Sequence, residues 1–170
     1  MVLNKQLTNL GARNKQHSES CSTQASPASA RLRFLDLFSG IGGFKIALER
    51  AGFKSIGFCD NDEYANKLYR AYFKNDKELF YDDIRKINTS ELPDFDILCA
   101  GFPCQSFSIA GKRRGFEDTR GTMFFEVARI LKDKRPKYFI LENVKGLLNH
   151  DGGKTFQTIL KVLSDIGYSV

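Results

Sequence analysis

No apolar run in this 170-residue chain approaches the roughly 20 residues that a membrane-spanning helix needs. The N-terminus also lacks the basic-then-apolar pattern of a secretory signal, so the expected compartment is the cytoplasm. The four cysteines, Cys21, Cys59, Cys99 and Cys104, form no C-x-x-C pair. That spacing argues against a zinc site and a disulfide framework; no metal is expected, and any special thiol has to be argued singly. A Gly-Lys-Ser/Thr P-loop is missing, and the dinucleotide fingerprint G-x-G-x-x-G fails at Lys45, which stands where its last glycine belongs. Those two gaps argue against an NTPase and a dehydrogenase.

What is present suffices for a globular fold: 42% hydrophobic residues can build the core of about one domain. The net charge of +6 permits a polyanionic partner without requiring one. Half of that excess lies in residues 1–31, where Lys5, Arg13, Lys15 and Arg31 face only Glu19. This segment is rich in Ser, Thr, Asn, Gln and Ala and shows no apolar periodicity. It is expected to be a flexible polar and basic tail, with non-specific DNA tethering as its one functional option.

From residue 32 onward, short apolar runs alternate with stretches of helical spacing, which predicts an α/β fold with parallel strands and crossover helices. Strands are expected over 32–38, 55–60, 96–102 and 138–144. Helices are expected after the first glycine turn, carrying Phe44, Ile46, Ala47 and Leu48, and over 63–73, 122–132 and 155–163. Tyr64, Leu68, Tyr69 and Tyr72 are read as core, and Cys59 and Cys99, inside strands, as small buried hydrophobes. Residues 168–170 read as the opening of a further strand, so the sheet is expected to keep an open edge and exposed apolar surface.

Two places carry chemistry. Asp36-Leu-Phe-Ser-Gly-Ile-Gly-Gly43 sits where a strand hands over to a helix, so its glycines let a ligand approach the backbone, as at a nucleotide-type site. Asp60 follows about 20 residues later at the end of the second strand, where a carboxylate either accepts ribose hydroxyls or caps the next helix. Asp82 and Asp83 form a simple turn before Ile84 or supply an acceptor for an adenine amino group. Further on, Gly101-Phe-Pro-Cys-Gln-Ser-Phe-Ser108 puts Cys104 just after a strand, and Glu142-Asn-Val144 ends the next one. A thiolate and an acid at one sheet edge can activate an aromatic carbon: the thiolate adds to cytosine C6 while the acid serves N3, and C5 becomes nucleophilic.

Asp36-Leu-Phe-Ser-Gly-Ile-Gly-Gly43, the Pro103-Cys104 loop, Gly115-Phe-Glu-Asp-Thr-Arg-Gly-Thr-Met-Phe-Phe125 and Glu142-Asn-Val144 together resemble the successive motifs of bacterial cytosine-C5 DNA methyltransferases of restriction-modification systems. The likeness covers residues 32–170. It implies a Rossmann-like S-adenosylmethionine-dependent methyltransferase sheet with helices on both faces, stopping before its last strands. It further implies Cys104 as nucleophile, Glu142 as acid, and Asn143 orienting the loop around Pro103. Phe38, Gly40, Gly42 and Gly43 would pack S-adenosylmethionine, Asp60 would hold its ribose, Asn61, Asp83 and Ile84 would frame its adenine, and Pro103 and Met123 would lie close by. The family usually has Glu at position 60 and often a bulky residue at 61.

The loop residues Ser108, Lys112, Arg113, Arg114 and Arg120 suit phosphate contacts around a flipped cytosine in double-stranded DNA, the alternative being a solvated basic loop. The family's later Gln-Arg-Arg-type motif, recognition region and final Asn-containing motif are not in this sequence. Three readings follow: a fragment of a methyltransferase, a subunit of a split enzyme whose second chain carries the recognition half, and a catalytically silent cofactor- or nucleic-acid-binding remnant. A tRNA cytosine is the alternative substrate.

Overall fold

The computed structural model describes residues 2–3, 31–74, 77–103 and 123–170. Six strands form one sheet: β1 (Val2–Leu3), β2 (Arg33–Leu37), β3 (Lys54–Cys59), β4 (Leu79–Tyr81), β5 (Ile97–Gly101) and β6 (Tyr138–Glu142), in the spatial order β1-β6-β5-β2-β3-β4. β2 through β6 run parallel, and β2 is central because its RFLDL run is buried on both faces. The helices are α1 (Gly43–Arg50), α2 (Glu63–Phe73), α3 (Met123–Lys134) and α4 (Lys154–Asp165).

Strand alternation sorts the core into two layers. Leu35, Leu37, Leu98, Ala100, Phe139 and Leu141 pack with α3 and α4, whereas Phe34, Ile97 and Cys99 face Leu48 of α1. Tyr69 of α2 stacks on Phe58 of β3 at 3.8 Å, so α2 shares the face of α1. Helices therefore cover both faces, as the sequence implied.

Several expectations are corrected. Tyr64, Leu68 and Tyr72 are exposed, and only Tyr69 of that set is core. Asn66, Tyr69 and Phe73 form the stripe that faces the sheet, and residues at 64, 68 and 72 recur along a neighbouring stripe turned to solvent. Residues 168–170 are not a strand. Tyr168 folds inward instead, edge-on to Phe139 at 5.1 Å, with its hydroxyl donating to the Pro136 carbonyl at 2.8 Å. β4 was missed because three residues are too short to show a period.

The edge of β6 is not wholly open either. Val2 pairs with Leu141 and Leu3 with Ile140 in antiparallel register, which departs from the reading of all of residues 1–31 as a flexible tail. The physical reason is the unpaired row of N–H and C=O groups that a terminal parallel strand offers to any extended segment.

Beneath α1 the fold buries a charge. Lys45 is 1% exposed, its ammonium lies 2.5 Å from Glu78 Oε1, and it sits 4.3 Å and 5.1 Å from the ring centres of Phe73 and Tyr69. The residue that breaks the dinucleotide fingerprint is thus a buried tie between α1, α2 and the segment entering β4.

Candidate functional site

The carboxyl ends of the parallel strands gather the candidate residues on one edge, where open α/β sheets hold ligands. β2 runs into the glycine turn, where three consecutive even-numbered residues take left-handed backbone: Phe38 (φ 56°), Gly40 (φ 53°) and Gly42 (φ 92°). Phe38 is not glycine, and such a conformation costs about 1–3 kcal/mol, a strain that concentrates at functional turns. At Gly42 a Cβ would meet the Phe73 ring at 2.4 Å, whereas a Cβ on Gly40 or Gly43 meets nothing within 4 Å. Gly42 is therefore needed by packing; Gly40 and Gly43 leave open space at the turn.

This difference gives a test. Gly42→Ala is expected to lose about 1–3 kcal/mol of stability by urea unfolding, because Phe73 would have to leave Lys45 and Tyr69 to make room. Gly43→Ala, with ordinary backbone and no neighbour, is expected to unfold at the same urea concentration or a higher one. Weakened binding of S-adenosylmethionine by the stable Gly43→Ala protein would mark the space as ligand space, and unchanged binding would remove it from the site.

Asp60 leaves β3 and faces the turn. Its Oδ2 accepts the Gly40 amide at 2.7 Å and its Oδ1 the Asp62 amide at 2.8 Å, while its carbonyl accepts Asn66 Nδ2 at 2.9 Å. The helix cap is Asp62, whose carboxylate accepts the Tyr64 and Ala65 amides. Asp60 is thus a brace for the glycine turn and not the cap of α2, and each of its oxygens keeps a lone pair for a hydroxyl. Asn61 beside it is exposed.

On the β4 side, Asp83 caps the short 3-10 turn Ile84–Lys86 and is gripped by Arg85, whose Nη2 lies 2.6 Å from Oδ2. The hydrogen bonds from Arg85 draw the Asp83 carboxyl down to about 2. Ile84 turns its side chain into the core, 2% exposed, and its carbonyl accepts from Arg129.

β5 and β6 end together, and Gly101 pairs with Glu142. A Cβ on Gly101 would lie 3.2 Å from Glu142 Oε2, so the bare glycine is what lets the carboxylate lean across the end of β5. Asn143 donates from Nδ2 to the Phe102 carbonyl at 2.6 Å, and its own Oδ1 accepts the Val144 amide at 2.8 Å. Pro103 follows, exposed, and Met123 is half-buried at the start of α3. A cavity of about 480 Å³ opens beside Glu142, lined by Phe102, Leu141, Val144, Leu148, Phe156 and Val170 among others.

Cys104, Ser108, Lys112, Arg113, Arg114 and Arg120 lie outside the described residues. Cys59 and Cys99 are buried as expected; burial pushes the Cys59 thiol up to about 12 and the Cys99 thiol up as well, which leaves both inert as nucleophiles. Two residues of the glycine motif escaped the sequence reading as site residues: Ile41 in the turn, an apolar side chain 60% exposed, and Asp36 on β2, fully buried. Their only signal was membership of the glycine motif.

With this geometry in place, the relatives are informative. Residues 32–170 match the family model for C-5 cytosine-specific DNA methylases. The chain belongs to that family. The Type II methyltransferase M.HpaII of Haemophilus parainfluenzae is 57% identical over 143 residues, covering 82% of this chain and 39% of that protein. The Type II methyltransferase M.HhaI of Haemophilus parahaemolyticus is 47% identical over 138 residues, covering 81% of this chain and 41% of that protein. The crystal structure of the S. pombe Dnmt2 methyltransferase superposes with a TM-score of 0.60 at 27% identity, covering 82% of this chain and 43% of that one. The chain spans less than half the length of these relatives. Among its described residues, no helix is long and apolar enough to cross a membrane.

Proposed function

We propose that the chain is the cofactor-binding and nucleophile-bearing part of a DNA (cytosine-5-)-methyltransferase acting in the cytoplasm as a restriction-modification enzyme. The observation that carries this reading is the meeting of Glu142 and Asn143 with the end of β5: the acid leans over Gly101 and Asn143 holds the Phe102 carbonyl, two residues before Cys104.

S-adenosylmethionine would supply an electrophilic methyl group. The chain's residues fit it, since Gly40 and Gly43 leave backbone open to a ligand and Asp60 keeps lone pairs for ribose hydroxyls. Phe38, Gly40, Gly42 and Gly43 would pack it, Asp60 would hold its ribose, and Asn61, Asp83 and Ile84 would frame its adenine, with Pro103 and Met123 nearby. For Asp83 to accept an adenine amino group it must share a carboxylate already bonded to Arg85.

In the reaction proper, the Cys104 thiolate would add to C6 of a cytosine flipped out of duplex DNA, while Glu142 holds a proton at N3. Electron density then accumulates at C5, which accepts the methyl group. Loss of the C5 proton and expulsion of the thiolate restore the aromatic ring and the free enzyme. Ser108, Lys112, Arg113, Arg114 and Arg120 would hold the flanking phosphates, and Asn143 would keep the nucleophile loop in register with Glu142. Identities near 50% to relatives named Type II methyltransferases favour DNA over tRNA. A second chain supplying target recognition is the companion reading.

The test is covalent trapping. The chain is mixed with a recognition-half polypeptide, S-adenosylmethionine and a duplex carrying 5-fluorocytosine, whose fluorine blocks loss of the C5 substituent. A denaturation-resistant protein–DNA adduct is expected, competed by duplex DNA and not by tRNA. Absence of an adduct in every reconstituted form would sink the proposal, and competition by tRNA alone would move the substrate to RNA.

A further inference from the structure

The segment that follows β4 is held along one side by α3. Ile84, Ile87 and Leu92 are its buried apolar anchors, whereas Asp82, Arg85 and Lys86 face solvent. Three polar side chains of α3 meet it in succession. Arg129 donates from Nη1 to the Ile87 carbonyl at 3.0 Å and from Nη2 to the Ile84 carbonyl at 3.2 Å. One turn further along the helix, Asp133 accepts from Thr89 Oγ1 at 2.8 Å, and Lys134 donates to the Leu92 carbonyl at 2.8 Å.

These contacts differ in what they fix. Ile84 follows Asp83 directly and opens the 3-10 turn Ile84–Lys86, which is closed by the Lys86 amide on the Asp83 carbonyl at 3.0 Å and the Ile87 amide on the Ile84 carbonyl at 3.2 Å. So short a turn has poor hydrogen-bond geometry and little stability of its own. The Arg129 guanidinium adds two charge-assisted bonds in a rigid fork, and Glu126 orients that fork by accepting from Nε at 2.8 Å. The fork is 34% exposed, so its bonds are screened less than those of a free surface arginine.

We propose that Arg129 is a positioning residue for base recognition: by gripping the Ile84 and Ile87 carbonyls from α3, it fixes the turn that aims Asp83 at the 6-amino group of the cofactor's adenine. This rests on the cofactor reading above and deepens it. A 6-amino group donates to the Asp83 carboxylate, whereas a 6-oxo group sets lone pairs against it and is rejected as long as the carboxylate cannot move aside. Arg85 also binds Asp83, but it belongs to the same turn and travels with it. Arg129 ties that turn to a separate element.

The element is a firm reference. Phe124, Val127, Ile130 and Leu131 bury α3 completely against the sheet, and the helix begins at Met123, itself assigned beside the cofactor. A side chain locked on such a helix holds a binding group in place better than the loop that carries the group can. Arg129→Met keeps the aliphatic stem and removes both donors. Arg129→Lys keeps the charge but offers one ammonium to two carbonyls. Lys134→Met loosens the same segment at Leu92, away from Asp83, and serves as the control for a merely structural loss.

Two measurements test this. Amide exchange on the 170-residue chain is expected to quicken at Lys86 and Ile87 in Arg129→Met, by about tenfold, and to stay unchanged within α3. Calorimetry on the chain reconstituted with its recognition-half polypeptide compares S-adenosylhomocysteine with S-inosylhomocysteine, whose base carries a 6-oxo group. The unmutated protein is expected to prefer the adenine compound by about tenfold or more. Arg129→Met should lose most of that preference, Arg129→Lys part of it and Lys134→Met none. An unchanged preference in either Arg129 variant overturns the proposal, even where affinity for both compounds falls. If the preference collapses in Asp83→Asn and survives in the Arg129 variants, the adenine assignment stands without Arg129. Equal binding of the two compounds by the unmutated protein takes Asp83 off the adenine and the proposal with it, and binding of neither removes the cofactor reading.

Discussion

Methyl transfer by the reconstituted enzyme is expected to fall by about 10²–10⁴-fold in Glu142→Gln, and to vanish in Cys104→Ser. The glutamine keeps the size and hydrogen-bonding shape of the acid beside Gly101 but cannot give a proton to N3. Addition of the thiolate would then have to push charge onto an unassisted ring. Serine at position 104 removes the bond-forming atom itself, since a hydroxyl is far less acidic than a thiol. The two variants are separable on 5-fluorocytosine DNA: Glu142→Gln should still trap, slowly, while Cys104→Ser should not trap at all. Equal and small effects from both would assign Glu142 and Cys104 structural roles. An unchanged urea midpoint for Glu142→Gln is expected, because the residue is exposed and its backbone register with Gly101 does not depend on the charge.

The second large effect is on stability. Lys45→Met is expected to cost about 3–5 kcal/mol, because it leaves Glu78 as a nearly sealed carboxylate without its cation. Both partners are nearly sealed, at 1% and 4% side-chain exposure, and Glu78 Oε2 has no partner even with the lysine present. Against a typical total of about 5–15 kcal/mol, that loss is severe. The double variant Lys45→Met/Glu78→Leu is expected to regain most of it, since two apolar side chains of similar length remove the unpaired charge together. A double-mutant cycle by urea unfolding measures the coupling. A single-variant cost below about 1 kcal/mol would mean the pair is solvated after all and behaves as a surface ion pair. Lys45 also reaches over Phe73, the ring that Gly42 must clear, so the same cluster sets the glycine turn against α2.

Why some of this was legible in the sequence and some not comes down to range. The glycine motif, Asp60 at the strand end and the Glu142-Asn143 pair are local signals: backbone freedom, strand termination and helix start are each written within a few residues. The exposure of Tyr64, Leu68 and Tyr72 was misread because composition shows which stripes of α2 are apolar but not which one meets the sheet. That choice follows from Tyr69 stacking on Phe58 and Asn66 reaching the Asp60 carbonyl, contacts that exist only once β3 and α2 are docked. The short strand β4 and the inward turn of Tyr168 likewise depend on partners far along the chain, Gly57 to Cys59 and Phe139.

The sequence by itself determined the α/β alternation, the carboxyl-edge location of the motifs and the family, because hydrophobic period and motif spacing are properties of one dimension. Only the tertiary structure decided that Asp60 braces Gly40 instead of capping α2, and that Gly101 yields its side-chain space to Glu142. It alone showed that Lys45 and Glu78 share a buried space. Those outcomes depend on burial and on distances across strands, and burial sets what a charge costs; neither quantity exists until the sheet has formed.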